Sequence, residues 1–72
     1  MADICPPGKN QWPELVGVKA TTAKYIIKKD NPNVENVVVL LAGSGTTEDI
    51  RCDRVWVFVN IHDLVVEVPK VG

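Results

Sequence analysis

Residues 43–55 read Gly43-Ser44-Gly45-Thr46-Thr47-Glu48-Asp49-Ile50-Arg51-Cys52-Asp53-Arg54-Val55, and they join two stretches of chain with different patterns. Before them, residues 34–41 are rich in β-branched side chains, which predicts a buried strand. The last three residues of 43–55 begin a stretch, residues 53–60, that alternates between apolar and other side chains, which predicts a second strand. The intervening loop, residues 42–52, is largely polar. A loop this long in a small domain is more often functional than decorative.

The rest of the chain predicts one helix and one more strand. Residues 19–30 carry apolar side chains at helical spacing, and Pro32 ends the helix because it disfavours helical geometry at Asn31. Residues 64–68 predict a third strand, which is closed by Pro69. The proline-rich opening predicts one helical turn starting at Pro13. Its apolar side chains are expected to pack on the core: Trp12, Leu15 and Val16.

Length and composition exclude several classes of protein. The 72 residues, 7.9 kDa, make a single domain over residues 1–72 and argue against an enzyme with a deep cofactor pocket. The net charge is −1 and the two signs are interleaved, so no patch for nucleic acid or an anionic membrane is indicated. The longest apolar run, residues 37–42, is too short to span a bilayer. The apolar residues suffice for one small core, so we expect a monomer.

The first residues do not have the pattern of a signal peptide, because no basic region followed by an apolar region is present. Two interpretations of the compartment stay open. The protein is cytoplasmic if Met1 is native, and it is extracellular or vacuolar if the sequence is a mature form with an added initiator Met.

Two cysteines, Cys5 and Cys52, are too far apart in sequence for a CxxC motif. They form either a pair of buried thiols or one disulfide. The small size of the chain favours the disulfide, because closing a loop of about 48 residues is worth roughly 4 kcal/mol in the chain-entropy model. With a single histidine, His62, they do not supply a four-ligand zinc site, so no metal or cofactor is expected.

Catalytic patterns are also missing from the sequence. Ser44, the one serine, is not set in a GxSxG elbow, and His62 falls in a predicted turn. Glu48 and Asp49 are adjacent, so on an extended chain they point in opposite directions and are poorly placed to share a proton. We therefore expect a protein that is not an enzyme.

The loop carries a possible bracing arrangement. Arginine presents a planar fork of donors that holds a carboxylate or a carbonyl in fixed geometry. Arg54, if it points from the strand up under the loop, meets Thr47 and Asp49 on either side of Glu48. A bond between Cys52 and Cys5 would clamp the end of the loop. The plainer interpretation is a surface ion pair worth about 0–1 kcal/mol with no function.

Several motifs in order closely resemble the potato inhibitor I family of serine protease inhibitors, and the resemblance covers nearly the whole chain. They are the opening CPPGKNQWPELVG at 5–17, the helix exit DNPNV at 30–34, the loop and strand pattern TxDxRCDRVWV at 47–57, and the ending with Val65-Val66, Pro69 and Val71-Gly72. The family resemblance implies an α+β fold: one helix on a small mixed sheet whose first two strands are parallel, joined by an extended protease-binding loop.

The resemblance also implies a mechanism and a site. The loop, residues 43–52, enters a protease cleft as a substrate-like strand, with the reactive bond between Glu48 and Asp49. The other residues that meet the protease are Gly45, Thr46, Thr47, Ile50 and Arg51. The residues that brace the loop from behind are Thr47, Asp49, Arg51, Arg54 and Gly72, with Gly72 pairing with one of the two arginines. A plant source and a role in response to wounding or in pest defence follow from the resemblance alone.

Two positions depart from the family pattern. Some members carry a second bracing arginine where this chain has Trp56, and the Cys5–Cys52 bridge is expected to compensate. Glu48 stands where Leu, Met, Lys or Arg is more usual. Burial of an unpaired carboxylate is costly, so we expect subtilisin-like or glutamate-specific targets rather than trypsin, with chymotrypsin-like enzymes less suited. The alternative is a non-inhibitory interaction domain that keeps the scaffold.

Overall fold

The fold was analysed in a computed structural model, which describes residues 8–46 and 49–72. A short 3-10 helix over Pro13–Leu15 begins with proline at its first turn. The helix α1 spans Ala20–Asp30, and the strands are β1 at Asn36–Leu41, β2 at Arg54–Val59 and β3 at Lys70–Val71. The helix and the first two strands therefore lie within one or two residues of their predicted bounds.

The three strands form one mixed sheet in the order β1-β2-β3. β1 and β2 are parallel, with Asn36 opposite Arg54 and Leu41 opposite Val59. β3 is antiparallel to β2. Because β1 and β2 run in the same direction, the chain between them must return along the length of the sheet, and this return path is the long polar loop. The predicted mixed sheet with parallel first strands is confirmed.

The core lies between α1 and one face of β2. The predicted alternation is confirmed, because Val55, Val57 and Val59 are buried and Trp56 and Phe58 on the other face are half-buried. The helix contributes Ala20, Ala23 and Ile27, as its spacing predicted, and Trp12 and Leu15 close the core from the N-terminal segment. The start of β2 is thereby fixed against the core, and this is the strand that follows the loop.

Two predictions about packing were wrong. β1 is an edge strand and is partly exposed rather than buried, because only β2 pairs with it among the described residues. Val16 is 46% exposed and does not join Trp12 and Leu15 in the core.

Residues 64–68 do not form a regular strand. Their main chain makes single bridges, with Leu64 opposite Lys19 and Val65 opposite Val59. Val65 exchanges hydrogen bonds with the irregular segment at Gly17 and Val18, at 2.7 and 2.8 Å, while the Val66 N–H donates to the Phe58 carbonyl of β2 at 2.9 Å. The segment therefore divides its main-chain hydrogen bonds between two partners and does not continue along either of them. The third strand of the sheet comes after Pro69, which was expected to end it.

Within the described ranges, no helix is both long enough and apolar enough to cross a membrane.

Candidate functional site

The loop between β1 and β2 is anchored at both ends by main-chain hydrogen bonds. At its start, Gly43 has a φ of 89°, and the N–H of Ser44 donates to the Leu41 carbonyl at 3.0 Å. At its end, the Asp53 carbonyl accepts from the N–H groups of Glu35 and Asn36, both at 2.9 Å. Both ends of the loop are therefore held by main-chain hydrogen bonds to residues at or next to the two ends of β1.

The described residues near the middle of the loop are exposed to solvent. Gly45 and Thr46 are exposed, as are Asp49 and Ile50, and the Ile50 side chain is 66% accessible although it is apolar. Thr47 and Glu48 lie outside the described residues, so the predicted bracing contact of Thr47 and the position of the Glu48 side chain remain predictions.

Arg54 lies beneath the described part of the loop that follows Glu48. Its Nη2 donates to the Asp49 carbonyl at 2.7 Å, and its Nη1 is 3.3 Å from Oδ2 of the same residue. Its Nε donates to the Gly72 carbonyl at 2.8 Å, while the Gly72 N–H donates to the Arg54 carbonyl at 2.9 Å. The structure thus brings together three of the predicted bracing residues, Asp49, Arg54 and Gly72.

The burial of Arg54 increases the energetic contribution of these hydrogen bonds. Its side chain is only 9% exposed, against 55% for that of Asp49. Hydrogen bonds that involve a charged group are worth about 1.5–3 kcal/mol each, and leaving such a group buried without partners costs more than that. The guanidinium is therefore held firmly in place, and the main chain at Asp49 is held with it.

Trp56 supports Arg54 from the same face of β2. The guanidinium carbon of Arg54 lies 4.4 Å from the centroid of the Trp56 ring, within the range of a cation–π contact. These residues are two apart on a strand, so their side chains share one face. Trp56 stands where the family resemblance implies a second bracing arginine in some members, and here it contacts Arg54.

Arg51 has a different partner from the one predicted. Its guanidinium binds the Asp53 carboxylate, with Nε 3.1 Å from Oδ1 and Nη2 2.9 Å from Oδ2, rather than Gly72 or the Asp49 carboxylate. This hydrogen bond is the main cause that lowers the pKa of Asp53 and raises that of Arg51. The sequence did not single out Asp53 as a partner. The two residues lie in a turn in which the Arg54 N–H donates to the Arg51 carbonyl at 3.4 Å, and this turn brings their side chains together.

The remaining predicted residues carry no catalytic arrangement. His62 is exposed in a turn, where its main-chain N–H donates to the Asn60 side chain at 2.8 Å. Residues 8–46 and 49–72 contain no cluster of His, Cys, Asp and Glu that fits a metal ion. They also contain no free cysteine, so Cys52 is not a free thiol there. Cys5 lies outside the described residues, and its pairing with Cys52 remains a prediction.

Comparison with known proteins gives relatives over almost the whole chain. An ethylene-responsive proteinase inhibitor 1 from Solanum lycopersicum is 58% identical over 96% of this chain. The match covers 59% of that protein, so this chain spans about three-fifths of the relative's length. An inhibitor of trypsin and Hageman factor from Cucurbita maxima is 50% identical over 92% of this chain and 96% of its own length.

A solved structure has the same fold at similar length. The crystal structure of bitter gourd trypsin inhibitor superposes with a TM-score of 0.88 at 43% identity, and the match covers 94% of this chain and 98% of that one. These relatives are named as proteinase inhibitors and not as enzymes. The family model for the potato inhibitor I family matches residues 5–72, and the chain belongs to that family.

Proposed function

We propose that this protein inhibits serine endopeptidases by presenting the loop at residues 43–52 as a substrate, with the reactive bond between Glu48 and Asp49. The observation that carries the proposal is the pair of contacts from Arg54 to the main-chain carbonyl and the carboxylate of Asp49. These contacts hold the residue that supplies the leaving amine, while Ile50 beside it stays exposed. The family membership supports the same role.

Substrate-like inhibition requires a loop that binds tightly to the protease and whose peptide bond re-forms after it is cut. An extended segment adds a strand to the edge of the protease cleft, so main-chain hydrogen bonds supply affinity and side-chain pockets supply specificity. When the protease serine attacks the Glu48 carbonyl, the bond to the Asp49 nitrogen breaks and an acyl-enzyme forms. Because Arg54 keeps Asp49 in place, its amine stays close to the acyl carbon and re-forms the peptide bond, which expels the serine.

The rigid loop also favours binding before any chemistry. A flexible segment loses conformational freedom when it is ordered in a cleft, and this loss weakens binding. Arg54 orders the Asp49 side of the loop in the free protein, so less ordering remains to be done on binding. We further propose that a Cys5–Cys52 disulfide holds the end of the loop to the N-terminal segment.

The proposed targets follow from Glu48, the residue whose side chain enters the primary specificity pocket. An acidic pocket of the trypsin type repels this carboxylate, and a closed apolar pocket leaves it buried without a partner. A broad subtilisin-type pocket accepts it, and the basic pocket of a glutamate-specific endopeptidase pairs with it. The names of trypsin inhibitors among the relatives describe those proteins, and the residue at position 48 is the reason to expect a different preference here.

The biological setting is proposed from the relatives. One relative, 56% identical, is a wound-induced proteinase inhibitor 1 from Solanum peruvianum. We propose a comparable defensive role, in which a monomer of this protein blocks one protease molecule.

The test is an inhibition panel. The oxidised protein is titrated against subtilisin, a glutamate-specific endopeptidase, chymotrypsin and trypsin, and the inhibition constant Ki is measured for each enzyme. We expect one-to-one inhibition of subtilisin or of the glutamate-specific enzyme, with trypsin the weakest. A tighter Ki for trypsin than for both would contradict the proposed preference. No inhibition of any of the four would favour the alternative, an interaction domain that keeps the scaffold.

A further inference from the structure

The two arginines that follow the predicted reactive bond differ in exposure and in their partners. Arg54 points inward, is nearly buried and holds Asp49. Arg51 has a side chain that is 51% exposed and makes its hydrogen bonds to Asp53, outside the bracing contacts. Arg54 therefore binds the loop residue Asp49, whereas Arg51, three residues earlier, lies on the surface.

Asp53 fixes the displayed guanidinium. Two parallel N–H···O bonds, at 3.1 and 2.9 Å, join Nε and Nη2 of Arg51 to the two carboxylate oxygens. This bidentate arrangement constrains both distance and orientation. Asp53 is itself tied to the sheet, because its carbonyl accepts the N–H groups of Glu35 and Asn36 at the start of β1. Arg51 is thus connected through Asp53 to the rigid part of the fold.

Among the described residues, only Asp53 accepts hydrogen bonds from the Arg51 guanidinium, so donors are left for a partner. Asp53 takes two of the five N–H donors that an arginine carries, and half of the side chain faces solvent. On an extended substrate-like loop the register against the protease is fixed by main-chain bonds. Arg51, three residues after Glu48, then meets the leaving-group side of the cleft, while Glu48 meets the primary pocket.

We propose that Arg51 is a specificity-determining residue that selects proteases with a carboxylate on the leaving-group side of the cleft, and that Asp53 is the positioning residue that holds its guanidinium. This inference rests on the proposed function. The target it describes has a basic or broad primary pocket and an acidic surface on the leaving side. The acidic surface of such a protease attracts Arg51, whereas a protease with positive charge on the leaving-group side of its cleft repels it.

A double-mutant cycle tests the proposal. The variants are Arg51→Gln, Asp53→Asn and the two combined, and Lys24→Gln is the matched control because it removes one exposed positive charge from α1. The Ki is measured with subtilisin and with a glutamate-specific endopeptidase at low and at physiological salt. The comparison uses the enzyme that the wild-type protein binds more tightly.

The expected results separate positioning from charge. Arg51→Gln raises Ki about tenfold at low salt and less at physiological salt. Asp53→Asn raises Ki about threefold although it makes the inhibitor more positive, and it has no further effect in the Arg51→Gln background. Lys24→Gln changes Ki less than about twofold. Equal effects of Arg51→Gln and Lys24→Gln would overturn the role of Arg51, and tighter inhibition by Asp53→Asn would overturn the role of Asp53.

A second measurement needs no protease. The exchange rate of the Arg51 Nε proton is followed by nuclear magnetic resonance in the free wild-type protein and in Asp53→Asn. The proposal predicts faster exchange in the variant, and equal rates would overturn the positioning role of Asp53. If the wild-type protein inhibits neither protease, the proposed function itself fails and the specificity role of Arg51 fails with it. Inhibition by the wild type with no effect of Arg51→Gln refutes the specificity role alone.

Discussion

Arg54 makes three hydrogen bonds from one nearly buried guanidinium, and their acceptors are oxygens of Asp49 and Gly72. It therefore joins the leaving side of the loop to the end of the described chain. Trp56 stacks beside it and limits where the guanidinium can move. The stiffness of the loop at Asp49 depends on this one side chain more than on any other described residue.

We predict that Arg54→Ala converts the protein from an inhibitor toward a substrate. Loss of hydrogen bonds worth about 1.5–3 kcal/mol each lets Asp49 leave the acyl-enzyme, so cleavage after Glu48 speeds up at least about tenfold. The rate is measured by mass spectrometry during incubation with a glutamate-specific endopeptidase. Lys28→Ala, an exposed change on α1, is the control and keeps the wild-type rate.

Arg54→Lys refines this prediction. Lysine keeps the charge but loses the planar fork that reaches Asp49 and Gly72 together, so an intermediate cleavage rate is expected. A rate for both Arg54 variants equal to that of the wild type would show that the loop does not depend on the guanidinium.

At Glu48 we predict that Glu48→Lys exchanges one protease preference for another. A lysine side chain carries the charge that an acidic trypsin pocket binds, whereas the carboxylate is repelled. Trypsin inhibition should tighten by a factor of about 100 or more, and inhibition of a glutamate-specific endopeptidase should weaken. Both Ki values are measured, with Glu48→Gln as the uncharged control. Unchanged trypsin inhibition in Glu48→Lys would mean that residue 48 does not occupy the primary pocket.

At the scale of elements, the N-terminal segment is tied to the C-terminal end of α1. The Trp12 indole N–H donates to Asp30 at 3.1 Å, and the Asn31 amide donates to the Lys9 carbonyl at 2.9 Å. Lys9 also binds the Glu14 carboxylate and lies 3.6 Å from Asp30. These contacts hold the N-terminal segment from Lys9 to Glu14 against the end of α1.

The Lys9–Glu14 pair predicts a dependence of stability on pH. The hydrogen bond from Lys9 lowers the pKa of Glu14 below its ordinary value of 4.5, although Asp30 opposes the shift. The folded state then holds the proton less tightly than the unfolded state. The contribution of the pair is complete above pH 4.5 and is lost as the pH falls through the lowered pKa.

This dependence is checked by chemical unfolding of the wild-type protein and Glu14→Gln between pH 7 and pH 3. The small difference in unfolding free energy between them should shrink below about pH 4.5. A difference that stays constant over this range would contradict the pairing.

The elements that could be predicted from the sequence are those with a clear period. Ala20, Ala23 and Ile27 mark the helix, and the alternating valines mark β2, because local patterning reflects the face that each element buries. The exposure of β1 depends on its place at the edge of the sheet, and the local sequence pattern does not show where in the sheet a strand lies. Residues 64–68 have the composition of a strand, but they divide their main-chain hydrogen bonds between the irregular segment at Gly17 and Val18 and the end of β2.

The candidate site divides in the same way. The contact of Arg54 with Asp49 could be predicted, because a buried position at the start of a strand places the side chain under the loop. The role of Asp53 was missed. Several acidic residues lie near Arg51 in sequence, and which of them binds its guanidinium depends on the three-dimensional geometry of the turn.

The whole molecule has a small core, so the proposed disulfide matters for its stability. A domain of 72 residues has little apolar burial to spare. The proposed Cys5–Cys52 bond connects the N-terminal segment, which packs through Trp12, to the end of the loop. This bond would therefore link the core to the loop at residues 43–52.

We predict that the double variant Cys5→Ala/Cys52→Ala loses about 4 kcal/mol of unfolding free energy, because the bond closes a loop of about 48 residues in the unfolded chain. The free energy is measured by chemical unfolding, and the wild-type protein in the presence of a reductant should show a similar loss. A change below about 1 kcal/mol in both samples would be evidence against the disulfide.

The central claim, a braced loop cut reversibly at one bond, is tested most directly by the hydrolysis equilibrium. Wild-type protein is incubated with a catalytic amount of glutamate-specific endopeptidase, starting from the intact form and from the isolated cut form. Mass spectrometry then follows both forms to constant composition. We expect a single cut between Glu48 and Asp49 and the same mixture of intact and cut protein from both directions. Complete cleavage, a cut at another bond, or no re-formation from the cut form would contradict the claim.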